Sequence, residues 1–293
     1  MSYVIYRGIS INKNIALIEG SHYLGMPIQL GESGCSVQGI LDGILKLLKY
    51  QLSRHNKVIV LRYDVFLAGV ELEITSFNQE FIRKIRVNYG LDAKMLWVRE
   101  KGASEYNNGI HYHYILTIPQ KTETSLPNLG AAIKKIANHC LKKRLNMPEI
   151  YDFPSEFDIE SPIKDKEFMQ KPYSSFRGFF LLDRRYITPE ETNKQKIDIQ
   201  VALEKDKGYK HLDISKIKNR NYNKNKALGG VLEECIYAIS YLAKLKTKED
   251  LPAGERMFTP PSYTETNLKE GRAEQIAEFV LLVDKAFAMF DVN

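Results

Sequence analysis

Three kinds of feature are missing or scarce in this sequence of 293 residues. No run of residues approaches the roughly 18 uninterrupted apolar positions that a membrane helix needs, and the first residues lack the pattern of a signal peptide. The three cysteines, Cys35, Cys140 and Cys235, have neither a zinc-type spacing nor an even count. We therefore expect reduced thiols, a cytoplasmic location and no membrane partner.

Two further absences disfavour a zinc-dependent hydrolase, since there is no His-Glu-x-x-His motif and no cysteine ligand pair. What the sequence does have is 44% hydrophobic residues, enough for one large domain or two small domains with a real core. It also has 42 Lys and Arg against 36 Asp and Glu, a formal net charge of +6. This excess modestly favours a polyanionic partner such as nucleic acid.

Hydrophobic periodicity predicts an α+β fold. Segments rich in β-branched and aromatic residues predict strands, and apolar stripes at three- and four-residue steps predict helices. The order of these elements is β-α-β-β-α-β, which is the ferredoxin-like arrangement: an antiparallel sheet with both helices on one face. The strands are expected over residues 58–66, 95–101, 110–118 and 176–182, and the two helices over residues 77–89 and 129–145.

Other segments flank or interrupt this core. An additional N-terminal helix is expected over residues 37–54, with Ser36 as its cap. Glycine-rich residues at the start of the chain favour a β-ribbon. The remaining boundaries are an N-terminal extension over residues 1–36, a main domain over residues 37–262 with a surface insertion over about 146–226, and an extra C-terminal helix over residues 263–293.

Two histidines, His111 and His113, stand one residue apart in a predicted strand, just after an Asn-Asn-Gly turn signal. Because successive side chains of a strand point to opposite faces, both histidines should lie on the same face. Two adjacent imidazoles can share a divalent metal ion. The alternative is that they are only polar residues of a half-buried strand.

A carboxylate can complete this set. Alternation along residues 95–101 puts Glu100 on one face of the preceding strand, and a suitable register brings it beside the histidines. Asp64 could serve instead or in addition, and Glu100 could also be a surface acid at the end of a hairpin. Two imidazoles and one carboxylate suit Mg²⁺ or Mn²⁺ with coordination positions left open for a substrate.

A second polar set lies on a helix that is expected to follow Gly230. We expect this helix to lie across the sheet face that the two core helices leave open, which is also the face expected for the two histidines. Tyr237, Tyr241, Lys244 and Lys248 stand at i, i+4, i+7 and i+11, so they should share one stripe. A phenol with a pKa near 10 is a weak nucleophile at neutral pH unless a cation or base assists it, and Lys244 is placed to assist Tyr241. The alternative is that both tyrosines are packed aromatics with hydrogen-bonded hydroxyls.

A charged stretch before this helix mixes cations with one aromatic residue, as loops that follow a phosphate backbone do. A solvated flexible loop is an equally good interpretation of the same composition. The residues expected to bind DNA are Lys216, Lys218, Arg220, Tyr222 and Lys224 in this stretch, with Lys246 and Lys248 after the tyrosines.

The His-hydrophobic-His strand with a later Tyr-x-x-Lys helix resembles the HUH endonucleases, which include rolling-circle replication initiators, plasmid relaxases and related transposases. More closely, the chain looks like the inovirus gene-2-product-like family, also called the YagK/YfjJ C-terminal domain. The resemblance covers roughly residues 37–262. The residues that carry it are Trp97-Val98-Arg99-Glu100, Gly109-Ile110-His111-Tyr112-His113, Ser240-Tyr241-Leu242-Ala243-Lys244, Thr247-Lys248 and Arg256-Met257-Phe258.

This resemblance implies an enzyme that nicks and rejoins DNA through a 5′-phosphotyrosine and so initiates rolling-circle replication of a phage, plasmid or integrated mobile element. It implies Tyr241 as the nucleophile, single-stranded or origin DNA as the substrate, and a host helicase or polymerase as a further partner. Tyr237 gives the pattern of the two-tyrosine phage initiators, and Tyr112 is larger than the aliphatic residue usual between the two histidines. The alternative function is a noncatalytic nucleic-acid-binding or regulatory protein on the same fold.

Overall fold

The computed structural model describes residues 3–6, 9–12, 15–24, 26–30, 34–90, 92–101, 109–120, 126–147, 172–183, 231–245 and 258–259. The helices in these ranges are α1 (Gln38–Arg54), α2 (Ile74–Tyr89), α3 (Leu126–Leu145) and α4 (Val231–Ser240). The strands are β1 (Tyr3–Tyr6), β2 (Ile9–Asn12), β3 (Leu17–Glu19), β4 (His22–Tyr23), β5 (Met26–Pro27), β6 (Cys35–Val37), β7 (Lys57–Phe66), β8 (Lys94–Lys101), β9 (Ile110–Pro119), β10 (Tyr173–Asp183) and β11 (Phe258–Thr259). Among the helices described, none is long and apolar enough to cross a membrane.

A five-stranded sheet organises these elements. Its strands lie in the order β10-β7-β9-β8-β11, and every neighbouring pair is antiparallel. The predicted α+β class is therefore confirmed, and each predicted strand and helix of the core is present within three residues of its expected bounds. The β-branched and aromatic content of β7 and β9 suits their central positions, where both faces of the sheet are covered.

The two faces of the sheet bury two separate clusters of apolar side chains, because strand residues alternate between them. On one face, residues such as Tyr114 and Leu116 of β9 pack with the inner stripes of α2 and α3. On the other face, Val98 and Ile115 pack with α1 and α4. Gln51 of α1 also reaches this second face, where its amide nitrogen donates to the Thr117 hydroxyl at 2.8 Å. Odd-numbered residues of β9 therefore face α1 and α4.

The beginning of α1 differs from the sequence-based expectation. The cap residue is Val37, which has no side-chain hydrogen bond to the helix, so the prediction of Ser36 as cap was wrong. Ser36 lies instead in β6, and its hydroxyl donates to the Gln29 carbonyl at 3.4 Å. Upstream of α1 the chain forms short antiparallel pairs, β1 with β2, β3 with β6 and β4 with β5, in place of one continuous ribbon.

The end of α4 also differs. The helix was expected to continue past Tyr241, but it ends at Ser240, and residues Tyr241–Ala243 form one turn of 3₁₀-helix. Lys244 is extended and forms a bridge with Ser36. The predicted single stripe of tyrosines and lysines was therefore wrong, because Tyr241 and Lys244 lie beyond the α-helix. The expected C-terminal helix and most of the expected insertion lie outside the described residues.

An ion-pair network joins the two helices on the far side of the sheet. Glu80 of α2 is buried and accepts hydrogen bonds from Lys143 Nζ at 3.0 Å and Arg144 Nε at 3.1 Å, both from α3. The hydrogen bond from Lys143 is the largest influence on Glu80 and lowers its pKa from the ordinary value of 4.5; burial opposes this change, and Arg144 adds to it. Folding therefore favours the charged carboxylate.

We expect Glu80→Gln to lower the free energy of unfolding at pH 7 by about 1–2 kcal/mol, a modest value because Lys143 is largely exposed. Since the folded-state pKa of Glu80 is depressed, its contribution is present above the unfolded pKa and is lost as pH falls through the folded pKa. Urea unfolding of both proteins should show the difference at pH 7 and show it shrinking below pH 4.5. A difference that did not change with pH would contradict the role of the charge.

Candidate metal centre and the adjacent tyrosine

Both histidines lie on β9, at the centre of the sheet. They occupy alternate positions on the face that carries α1 and α4, and as whole residues they are 5% (His111) and 4% (His113) exposed. Their rings are perpendicular with centroids 4.9 Å apart. His111 also stacks on Phe66 of β7, with ring centroids 5.1 Å apart, which limits how it can rotate. The prediction that the histidines occupy the face away from α2 and α3 agrees with this geometry.

Glu100 comes from the neighbouring strand. The register of β8 against β9 places Glu100 directly opposite His111. Its Oε2 atom lies 3.4 Å from His111 Nε2 and 3.1 Å from His113 Nε2. The donor atoms of Glu100, His111 and His113 all lie within 4.8 Å of one another, so these three buried residues could hold a metal ion. The predicted three-residue set is therefore brought together.

Asp64 approaches the same histidine from the other side. It is paired with His113 in the register of β7 against β9, and its Oδ1 atom lies 2.5 Å from His113 Nδ1. A carboxylate on one ring nitrogen fixes the tautomer and leaves the other nitrogen available as a ligand. Asp64 therefore stands behind His113, whereas Glu100 stands beside the Nε2 atoms of both histidines.

The charges of this cluster indicate why a cation suits it. Asp64 and Glu100 are each 1% exposed, so two carboxylates are buried together. Burial by itself lowers the pKa of His113, but the negative charges and hydrogen bonds of Asp64 and Glu100 outweigh it, and the pKa of His113 is raised. The buried negative charge therefore favours positive charge at this position. A divalent cation bound by two imidazoles and a carboxylate would balance the negative charge, so the residues present fit such an ion.

Tyr241 lies on this same face. Its half-buried ring meets the ring of His113 edge to face, with centroids 6.2 Å apart. Two cations contact the Tyr241 ring: the Lys244 ammonium is 4.0 Å from the ring centroid and the Arg62 guanidinium carbon is 4.5 Å from it. Lys244 is thus beside Tyr241 as expected, although the extended backbone after the 3₁₀ turn puts it there and not a helical stripe.

Arg62 was missed by the sequence analysis. It lies on β7 two residues before Asp64, and its Nε atom is 3.8 Å from Asp64 Oδ1. Alternation along this largely apolar strand puts Arg62 and Asp64 on one face, so the signal was present in the sequence. What the sequence did not contain was the contact with Tyr241, which lies far away along the chain. Arg62 therefore links Tyr241 to the buried cluster of acidic and histidine side chains.

Residues before α1 hold the Tyr241 turn in position. The backbone N–H of Gln29 donates to the Ser240 hydroxyl at 2.8 Å, and that hydroxyl donates to the Tyr237 carbonyl at 2.7 Å. On the other side of the turn, the Leu245 N–H donates to the Cys35 carbonyl at 3.3 Å. The N-terminal extension thus packs against the site and fixes Tyr241 from both ends.

The remaining predicted site residues have different outcomes. Tyr237 is half-buried in α4, one turn before Tyr241. Tyr112 points to the opposite sheet face, where it is 3% exposed and packs edge to face on Trp97, so that face accommodates the large ring. The predicted DNA-binding residues, Lys216, Lys218, Arg220, Tyr222, Lys224, Lys246 and Lys248, lie outside the described residues.

Comparison with known proteins adds no further assignment. No protein-family model matches the chain, and neither the curated proteins nor the solved structures give a significant match.

Proposed function

We propose that this protein is an HUH-type endonuclease of the ferredoxin-like fold that nicks and rejoins single-stranded DNA through Tyr241. The observation that carries this proposal is the position of a tyrosine ring 6.2 Å from a histidine of a buried His, His and Glu cluster. The strand order supports the fold assignment: if β7, β8, β9 and β10 are numbered one to four, they lie in the order four, one, three, two. The proposed role is initiation of rolling-circle replication of a phage, plasmid or integrated mobile element.

In this proposal Glu100, His111 and His113 hold Mg²⁺ or Mn²⁺. When bound, the ion supplies positive charge that stabilises the negative charge developing on the phosphate oxygens. Asp64 keeps His113 in the tautomer that presents Nε2 to the site. The side chains at this end of the sheet are buried, which strengthens the electrostatic interactions among them.

Tyr241 is the proposed nucleophile. Its phenolic oxygen forms a bond to phosphorus while the bond from phosphorus to the 3′ oxygen breaks, leaving a 5′-phosphotyrosine and a 3′ hydroxyl. The phenol loses its proton to solvent, and the departing oxygen takes up a proton. Arg62 and Lys244 lie 4.5 and 4.0 Å from the ring centroid, and their charges favour negative charge on the attacking oxygen and the phosphate. Attack by the 3′ hydroxyl on the phosphotyrosine reverses these steps and rejoins the strand.

The test of this function is covalent capture of DNA. The protein is incubated with Mn²⁺ and a pool of random single-stranded oligonucleotides labelled at both ends. We expect a protein–DNA adduct that survives denaturant. After protease treatment, a short peptide should remain attached to the 5′ end of the downstream fragment, and sequencing of the captured fragments would identify the preferred site. Salt-sensitive binding with intact oligonucleotides after long incubation would instead support the noncatalytic nucleic-acid-binding alternative.

Asp64→Asn should weaken Mn²⁺ binding by roughly 10- to 100-fold, because the asparagine amide can donate to His113 Nδ1 and so favour the tautomer with its proton on Nε2, and because it contributes no negative charge. Titration calorimetry on the purified variant measures this directly. The matched control is Asp42→Asn, since Asp42 is an exposed carboxylate on α1 that accepts a hydrogen bond from the Tyr23 hydroxyl. Equal Mn²⁺ affinity of the two variants would rule out the positioning role of Asp64.

A further inference from the structure

A second concentration of charge lies at the opposite end of β8 from Glu100. Lys94 begins this strand, six residues before Glu100, so the two ends are separated by about 20 Å at roughly 3.3 Å per residue. Beside Lys94 lie Tyr50 and Arg54 from the last turns of α1 and Arg86 from the last turn of α2. We call these four residues the Tyr50 cluster. It plays no part in the proposed chemistry of Tyr241.

Two cations of the cluster converge on one aromatic ring. The Arg54 guanidinium carbon is 5.2 Å from the centroid of the Tyr50 ring, and Lys94 Nζ is 5.4 Å from the same centroid. The third cation, Arg86, is held nearby because its Nε donates to the carbonyl of Ala93 at 3.1 Å, and Ala93 directly precedes Lys94. Three elements therefore bring three positive charges to one end of the sheet.

Among the described residues, Asp92 is the carboxylate that acts on Lys94, and its one negative charge does not balance three positive charges. Asp92, whose side chain is 39% exposed, lies 3.5 Å from His55 Nε2. Burial lowers the pKa of Lys94, the positive charges of Arg86 and Arg54 lower it further, and Asp92 acts in the opposite direction. In addition, the Nε atom of Arg54 is buried without a hydrogen-bond partner among the described residues. A bound anion would therefore reduce the repulsion among the three cations and could accept a hydrogen bond from Arg54 Nε.

We propose that the Tyr50 cluster is a binding site for a phosphate group, with Arg54, Arg86 and Lys94 as its cationic ligands. A guanidinium offers a planar fork that matches phosphate oxygens, and an ammonium adds a compact charge. Tyr50 provides the aromatic surface on which the cations rest, and such a surface also stacks with nucleic-acid bases. The phosphate can belong to a nucleic-acid strand or be a free anion. The site is argued from geometry that does not depend on cleavage by Tyr241, so either assignment can fail without the other.

Binding measurements on the full chain test this site. Affinity for a labelled oligothymidylate is measured by fluorescence anisotropy at several salt concentrations, and inorganic phosphate is titrated separately. We expect Arg54→Gln and Lys94→Gln each to weaken binding of the preferred probe about tenfold. The matched controls are Arg83→Gln and Lys135→Gln, which remove equal charges from exposed positions on α2 and α3. If the phosphate belongs to a nucleic-acid strand, each variant of the Tyr50 cluster should also reduce the slope of log affinity against log salt concentration by about one phosphate contact.

The outcomes separate the two sources of phosphate. Tight binding of the oligonucleotide, lost in the cluster variants and kept in the controls, identifies a phosphodiester; loss confined to inorganic phosphate identifies a free anion. Equal binding by the cluster variants and the controls overturns the proposal. If a cluster variant fails to fold, the NMR resonance of the Lys94 side chain in the unmodified protein decides the matter. Its failure to shift with either probe overturns the proposal as well.

Discussion

Tyr241→Phe is expected to abolish the covalent DNA adduct, reducing its rate of formation by roughly 10³-fold or more. The substitution removes only the phenolic oxygen, and the ring can keep its contacts with His113, Arg62 and Lys244. Binding of single-stranded DNA should therefore remain close to that of the unmodified protein. The measurement is the yield of denaturant-resistant adduct over time, together with DNA affinity from anisotropy.

Tyr237→Phe is the matched control, because it removes the same atom one turn earlier, within α4. It should retain adduct formation within a few-fold. An adduct that forms with Tyr241→Phe and is missing with Tyr237→Phe would transfer the nucleophilic role to Tyr237. If each single variant still formed the adduct and only the double variant lost it, either tyrosine would be able to act as the nucleophile.

Removing the histidines is expected to have the second large effect. The double variant His111→Ala, His113→Ala should abolish measurable Mn²⁺ binding and adduct formation. This loss is larger than the roughly 10- to 100-fold loss of metal affinity that is typical when a residue hydrogen-bonded to a ligand is changed. The physical reason is that only Glu100 would remain of the three candidate ligands, whose donor atoms lie within 4.8 Å of one another. Calorimetry with Mn²⁺ and the adduct assay measure the two losses separately, and chelation of the metal should reproduce the loss of cleavage.

Two further variants keep this result interpretable. Loss of both imidazoles removes the histidine partners of the buried carboxylates Asp64 and Glu100, which destabilises the fold. Glu100→Gln avoids this problem because it removes a ligand and a buried charge together, and it should also abolish tight Mn²⁺ binding. His139→Ala, at an exposed position on α3, should bind Mn²⁺ like the unmodified protein. Persistence of the adduct in a folded variant without both histidines would refute the metal assignment.

The strand pattern shows how far the sequence alone could lead. Alternation is a local property of the backbone, so it placed His111 and His113 on one face of β9 and Glu100 on one face of β8. The neighbouring positions of Glu100 and His111 needed a register as well, and both strands have buried residues on each face that favour one register. For these three residues the local pattern and the observed packing agree.

The helix that carries the tyrosines shows where the local pattern was insufficient. Residues 231–248 have a continuous helical period, and nothing local ends the helix at Ser240. The end is set by distant residues: Gln29 donates to the Ser240 hydroxyl, and the strand that contains Cys35 accepts from Leu245. The Leu245 N–H would donate to the Tyr241 carbonyl in a continued α-helix, but it donates to the Cys35 carbonyl, so the chain leaves the helix after Ser240.

By itself, the sequence determined the class of the fold, the order of its core elements and the common face of the two histidines, because each follows from short-range periodicity. The tertiary structure alone decided which groups surround that face. Asp64 contacts Nδ1 of His113, and the guanidinium of Arg62 contacts the ring of Tyr241. A turn, where a helical stripe was expected, brings the ring of Tyr241 into contact with His113. Each of these contacts joins residues far apart in the chain, and their positions depend on how α4 and the N-terminal segment pack on the sheet.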